Sequence, residues 1–264
     1  MSFENQVALI TGASNGIGRR LAIDLANKGA SVIGCGRAQK RLQETLAEIR
    51  RASPSSTVVT CDVGDSEQVR TMVRNVLAEF GKIDVLINNA GIGMRKPFVE
   101  TSLDTVEEIT RVNYLGTVYC THEVLPSMIA KGSGHIVNIS SVAGKLGALN
   151  MAPYCASKFA LQGLTESLYH ELKPLGIDIS VICPGPVRTN FNRLFADSQP
   201  KAPESIKLSA GAVSAAVIRA IERKQFEVVL PTSLALACLW QRLTPNLFRA
   251  VSYRALRWHA GTSR

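Results

Sequence analysis

The sequence predicts a doubly wound (Rossmann-like) α/β fold, a parallel sheet of about seven strands with helices on both faces. Three observations predict it. Seven short, apolar, β-branched runs recur within the first 230 residues, and stretches of roughly 15–25 residues separate most of them, enough for right-handed crossovers. The runs are apolar on both faces, as in strands covered by helices on both sides. A glycine-rich turn joins the first run directly to a helical stretch, the arrangement that opens a dinucleotide-binding sheet.

Each element follows in order. QVALI (6–10) is the first strand, and TGASNGIG (11–18) turns it into the first helix. SVIGC (31–35) is the second strand and ends in GCGR, with Gly36 and Arg37 at its tip. TVVTC (57–61) and IDVLI (83–87) are the third and fourth, running into DV (62–63) and NNAG (88–91). HIVNI (135–139) is the fifth, and Ser140 and Ser141 follow it. A long helical pattern opens with YCASKFALQGLTESL at Tyr154. IDISVI (177–182) and FEVVL (226–230) complete the sheet. Residues 186–208 are polar and contain prolines, so they read as a long loop or lid, the kind of segment that is often functional. Residues 1–230 form one domain, and 231–264 form a helical tail that packs on or caps it.

Composition narrows the classes of function. A hydrophobic content of 46% against 19% charged residues supports a large core and excludes wholesale disorder. The formal net charge of +9 admits nucleic acid, an anionic membrane surface or anionic small molecules as partners. No nucleic-acid motif accompanies the charge, so nucleic acid is set aside. The six cysteines form no C-x-x-C pair, which argues against a metal site or disulfide framework and for a reducing, cytoplasmic compartment. The four histidines show no metal spacing. MSFENQVALI has no basic region and no long apolar run, so no secretory signal is expected. The run VVLPTSLALACLW contains a proline and is shorter than the about 20 residues that span a bilayer.

Gly12, Gly16 and Gly18 sit where the first strand turns into a helix. There, glycine lets the backbone approach a pyrophosphate and the helix N-terminus favours its charge. The spacing is G-x3-G-x-G rather than G-x-G-x-x-G. At the end of the second strand an acid would select NAD through the ribose 2′-OH. Arg37 stands there instead, and an arginine can pair with a 2′-phosphate, so NADP(H) is the expected cofactor. The alternative is a solvated surface arginine.

Tyr154 and Lys158 lie four apart, on one face of a helix. Tyrosine titrates near 10, and a neighbouring ammonium favours the phenolate, so Lys158 is expected to lower the Tyr154 pKa. Ser141, at a strand end, can donate a hydrogen bond to a substrate oxygen. Its spacing of 13 residues to Tyr154 selects it over Ser140, which is expected to pack locally.

With TGASNGIG, DV, NNAG, VN (112–113), NISS (138–141), YCASK (154–158) and PGPVRT (184–189) in this order, the chain resembles a short-chain dehydrogenase/reductase over roughly residues 5–230. The resemblance implies that Ser141 polarises a carbonyl and Tyr154 transfers its proton. It implies that Lys158 lowers the Tyr154 pKa and contacts the nicotinamide ribose, and that Asn113 holds a water continuing the proton relay. Gly12, Ser14, Asn15, Gly16, Ile17 and Gly18 would form the phosphate loop. Asp62 and Val63 would flank the adenine, and Asn89, Ala90 and Gly91 would line the cleft. Pro184, Gly185, Val187 and Thr189 would meet the nicotinamide end. NADP-preferring members often carry a basic residue where this chain has Asn15, so Arg37 alone argues for the 2′-phosphate.

The function this implies is hydride transfer between NADP(H) and a carbonyl or secondary alcohol. The apolar stretch SVAGKLGALNMAPY favours a hydrophobic substrate. A non-catalytic NADP(H)-binding sensor or scaffold is the alternative. Nucleotide-sugar epimerases and dehydratases also use Y-x-x-x-K, but with different glycine spacing and an added substrate domain. The resemblance further implies a homodimer or homotetramer, paired through helices near 113–131 and 154–173.

After Glu227 the chain has five arginines and no acid. In LFRAVSYRALRW (247–258), helical spacing puts Leu247, Phe248, Val251, Ala255 and Trp258 on one side, Arg249 and Arg257 on the other, and Arg254 at the edge. Three readings follow: peripheral membrane contact, a partner helix or a flap over the substrate cleft. Packing on the chain's own body is the alternative.

Overall fold

The structure, a computed structural model, describes residues 3–189 and 206–261, with side chains described up to residue 254. Ala255, Arg257 and Trp258 of the tail, and the middle of the expected lid, lie outside the described side chains. Seven strands form one parallel sheet: β1 (Val7–Thr11), β2 (Ser31–Gly36), β3 (Thr57–Thr60), β4 (Val85–Asn88), β5 (Gly134–Ile139), β6 (Ile177–Pro184) and β7 (Glu227–Leu230). Their order across the sheet is β3-β2-β1-β4-β5-β6-β7. The order reverses between β1 and β4, and such a switch point opens a crevice at the strands' carboxyl ends.

Helices α1 (Gly16–Asn27), α2 (Gln39–Ala52), α3 (Ser66–Phe80), α4 (Leu103–Thr110), α5 (Gly116–Lys131), α6 (Ala152–Leu172) and α7 (Ala210–Arg223) make the crossovers. The two-sided apolarity of the strands is spent on both layers. Ala8 and Ile10 face a core shared with Leu21 and Leu25 of α1 and Val213 and Val217 of α7. Leu9 between them faces Val73 and Val76 of α3 and Val124 of α5. Fully burying one such side chain contributes about 1.5–3 kcal/mol, so the layers rather than the caps hold the sheet. Caps set the helix starts. Asn15 Oδ1 accepts from Gly16 N at 2.7 Å, and Asp65 Oδ1 accepts from Glu67 N and Gln68 N to start α3.

Most strand limits shift by one or two residues from the expected ones, the fourth strand's at both ends. The fourth strand begins at Val85, because Asp84 is occupied as an acceptor: its Oδ2 takes Val7 N at 2.8 Å. The strand extends to Asn88, so the first asparagine of NNAG belongs to the sheet. The long loop beginning at Pro186 is closed at its base: Arg188 N donates to Leu208 O and Leu208 N to Pro186 O, both at 2.8 Å. Beyond β7 the tail is helical, as expected, with α8 (Thr232–Leu243) packed against β7 and α9 (Pro245–Gly261) packed against α8.

Candidate active site

The carboxyl ends of the strands open into a cleft of about 1670 Å³. Pockets for single small ligands run to about 1,000 Å³, so this one has room for a dinucleotide and a substrate together. The glycine turn forms its floor on one side of the switch point. Gly12 has φ +68°, and a Cβ there would stand 2.9 Å from Ala90 Cα. Only a glycine lets β1's exit pass this close to β4's exit. A Cβ on Gly18 would collide with Gly12 O. Gly16, at φ +55°, comes within van der Waals reach of Thr189, so the loop after β6 meets the glycine turn across the cleft.

Asn89 locks this corner. Its Nδ2 donates to Thr11 O at 2.9 Å and Gly12 O at 3.3 Å. The Thr11 hydroxyl accepts from both Asn89 N and Ala90 N at 2.9 Å. Asn88 points the other way, into the core, where its Nδ2 donates to Thr121 Oγ1 and Asn138 Oδ1. The two asparagines of NNAG therefore divide the work: one braces the sheet, the other shapes the cleft.

On the β2 and β3 side of the cleft lie Ser14, Asn15, Ile17, Arg37, Asp62 and Val63. Asn15 uses its side-chain oxygen to cap α1, which fits the absence of a cation at that position. Asp62 Oδ1 accepts from Gly64 N, fixing the turn after β3. Arg37 stands 3.8 Å from Asp62 and 3.9 Å from Glu108 with its side chain half exposed. Ion pairs this long and this solvated contribute little, so the guanidinium is held in place without being consumed. Arg41, on the first turn of α2, also lines the cleft here. Sequence reasoning missed it. The signal was available in principle: a second arginine four residues beyond Arg37 returns to the same side when a helix starts between them.

Asn113 sits in a π-helical turn, Arg111–Leu115, that joins α4 to α5. Such turns recur at functional sites because they re-aim a side chain without ending the helix. Asn113 is fully buried. Its Oδ1 accepts from Ile92 N at 2.8 Å, and its Nδ2 donates to Ile92 O at 2.9 Å and Ser157 Oγ at 3.0 Å. It ties the segment following Gly91 to α6. A Cβ on Gly91 would lie 3.2 Å from Asn113 Oδ1 and 3.7 Å from Lys158 Nζ, so Gly91, Asn113 and Lys158 converge. Ser157, also missed from sequence, links the catalytic helix to Asn113.

Ser141 caps a short 3₁₀ turn, Val142–Gly144. Its hydroxyl accepts from Ala143 N at 3.1 Å and donates to Pro184 O at 3.3 Å. Both Ser141 and Tyr154 line the cleft. A Cβ on Gly144 would stand 2.6 Å from Lys158 O, so the turn is pressed onto α6 and fixes Ser141 against Tyr154. Ser140 behaves as expected: it is buried, donates to Lys158 O and accepts from Gln162. Lys158 is 4% exposed. Its Nζ donates to Ile139 O at 2.8 Å and stands 5.9 Å from the Tyr154 ring centre.

The electrostatics differ from the sequence expectation. Burial pushes Tyr154 up to about 12, against a smaller lowering effect of Ser141. Burial likewise brings Lys158 down to about 8. The Lys158 ammonium is aimed at the Ile139 carbonyl rather than at the phenolic oxygen, so desolvation outweighs its pull on Tyr154. Tyr154 is therefore a protonated donor at neutral pH.

Gly185, Val187, Thr189 and Pro184 complete the cleft on the side of β6, opposite Gly16. Leu146, Met151 and Leu234 add apolar lining to the cleft. Leu234 belongs to α8, so one residue of the tail reaches the cleft.

The family described as short chain dehydrogenase matches residues 6–199. "Dehydrogenase/reductase SDR family member 7B" of Danio rerio is 35% identical, over 96% of this chain and 87% of its own length. "Ketoacyl reductase HetN" of Nostoc is 37% identical, over 85% of this chain and 78% of its own length. Among solved structures, a short chain dehydrogenase/reductase from Burkholderia phymatum in complex with NAD superposes with a TM-score of 0.84 at 29% identity, over 94% of this chain and 96% of that one. An actinorhodin polyketide ketoreductase with NADPH gives 0.80 at 30% identity, over 89% and 99%. With the family match running from the first strand into the segment after PGPVRT, and with Ser141, Tyr154 and Lys158 gathered over the glycine turn, this chain belongs to the short-chain dehydrogenase/reductase family of oxidoreductases.

Proposed function

We propose that the protein is an NADP(H)-dependent reductase of a hydrophobic ketone or aldehyde. One observation carries the reading: Ser141, the buried Tyr154 and Lys158 line the same cleft as Arg37 and Arg41. The two arginines favour a 2′-phosphate over a free hydroxyl. The nicotinamide, when bound, supplies the hydride. Ser141 can donate to the carbonyl oxygen, and Tyr154, already a donor, passes it the proton. Lys158, cationic below about pH 8, stabilises the phenolate left behind. Leu146, Met151 and Leu234 supply the apolar contact for the substrate body. The six free cysteines fit a reducing compartment such as the cytoplasm.

A screen of ketones and aldehydes read by NADPH absorbance tests this. Bulky apolar carbonyls are expected to turn over faster than small polar ones. No NADPH oxidation with any carbonyl, alongside measurable NADPH binding, would leave the sensor reading instead.

Assembly follows from the same family. Phe159 on α6 is a large apolar side chain left exposed by the single chain, and it supports pairing through α5 and α6. Light scattering at micromolar concentration is expected to give at least twice the 28.5 kDa of one chain. A mass of one chain would overturn the pairing.

A further inference from the structure

The tail carries an apolar surface that the catalytic domain does not cover. On α8, Leu236, Leu239, Trp240 and Leu243 recur at helical spacing, and all are exposed; Leu243 reaches 71% and Leu236 63%. On α9, Leu247 and Val251 share one side of the helix and are exposed as well. Phe248, expected beside Leu247, turns inward instead and packs edge-on against Trp240 at 5.1 Å between ring centres. That contact joins the two helices. A lone exposed leucine needs no explanation, but six exposed apolar side chains gathered on two joined helices do.

The charges around the row are of one sign. Arg242, Arg249 and Arg254 are exposed on the same two helices. At 100° per residue, Arg242 borders the stripe next to Leu239 and Arg254 falls in line with Leu247, while Arg249 lies on the far side of α9. No carboxylate side chain occurs in the sequence after Glu227.

We infer that the α8–α9 hairpin docks on an anionic lipid surface. An apolar stripe flanked by arginines fits such a surface: leucine and aromatic side chains enter the headgroup boundary, and the guanidinium groups stay among the phosphates. A second copy of the chain fits it poorly. In a two-fold interface the patch would meet itself, placing arginines of both copies together with no acid of either hairpin to answer them. The first turn of α8 lines the cleft through Leu234, so docking brings the cleft close to the lipid. This bears on where an apolar carbonyl would enter, but the docking itself does not depend on the reaction.

Sedimentation of the full chain with vesicles tests the inference. The protein is expected to partition onto phosphatidylcholine vesicles containing phosphatidylserine at least about tenfold more strongly than onto phosphatidylcholine alone. Raising salt from about 0.05 to about 0.5 M shortens the Debye length from roughly 14 to roughly 4 Å and should remove most of that preference. Both tryptophans of the sequence, Trp240 and Trp258, lie in the tail, so intrinsic emission should shift to shorter wavelength on the anionic vesicles. The double variant Arg242→Gln, Arg254→Gln should lose about tenfold or more in partitioning. The variant Leu239→Gln, Leu243→Gln, Leu247→Gln should lose the emission shift. These are exposed positions, so circular dichroism should be unchanged. Equal partitioning onto neutral and anionic vesicles would overturn the inference, as would no partitioning at all. A lower mass by light scattering for the leucine variant would overturn it too, because the patch would then serve self-association.

Discussion

Tyr154→Phe should reduce turnover of a verified carbonyl substrate by roughly 10²–10⁴-fold, the range lost when a positioned proton donor is removed. It should leave NADPH binding and folding nearly intact. The reason lies in the packing. Tyr154 is buried, and the substitution removes only its hydroxyl. Ser141 keeps Ala143 N and Pro184 O as partners, so its hydroxyl is not stranded. Lys158→Ala is a harsher change, because it empties a buried site and leaves the Ile139 carbonyl without its donor. It should lower both turnover and thermal stability. In the wild type, reduction should weaken as pH rises through about 8, because Lys158 then loses the charge that stabilises the forming phenolate. Tyr154 itself stays protonated to about 12 and does not limit the profile in that range. Steady-state rates against pH, with cofactor dissociation constants by fluorescence, check each part. Near-wild-type turnover by Tyr154→Phe would remove it as the donor.

Arg37→Asp should invert cofactor preference. Wild-type protein is expected to bind NADPH more tightly than NADH, and the variant the reverse. A charge-assisted hydrogen bond contributes about 1.5–3 kcal/mol, so loss of the pair shifts the ratio of dissociation constants by roughly 10–100-fold. The introduced carboxylate adds repulsion of the 2′-phosphate. Arg37 is available for this role because its two ion pairs are long and solvated. Arg41→Gln should act in the same direction, more weakly, since Arg41 lines the same end of the cleft from α2. Tighter NADH binding by the wild type would refute the NADP(H) reading, and the NAD complex of the Burkholderia phymatum relative makes that titration the decisive one.

Much of this protein was legible in its sequence, for a physical reason. Strand period, helix period and turn chemistry are properties of contiguous residues, so the alternation of QVALI, SVIGC and their successors fixed seven strands before any contact was known. Glycine at 12, 16 and 18 was legible because backbone geometry demands it locally. Tyr154 and Lys158 were legible because a helix places residues four apart on one face. What only the tertiary structure decided are the relations between distant segments. The bond from Asn89 to Thr11 spans 78 positions, and the one from Asn113 to Ser157 spans 44. Neither leaves a periodic trace. Arg41 joined the site only once the start of α2 was placed beside Gly36. Burial, finally, is a property of the whole packed chain, so the pKa of Tyr154 could not be read from its neighbour at Lys158. Proximity in sequence suggested a lowered value; desolvation in the folded core raised it.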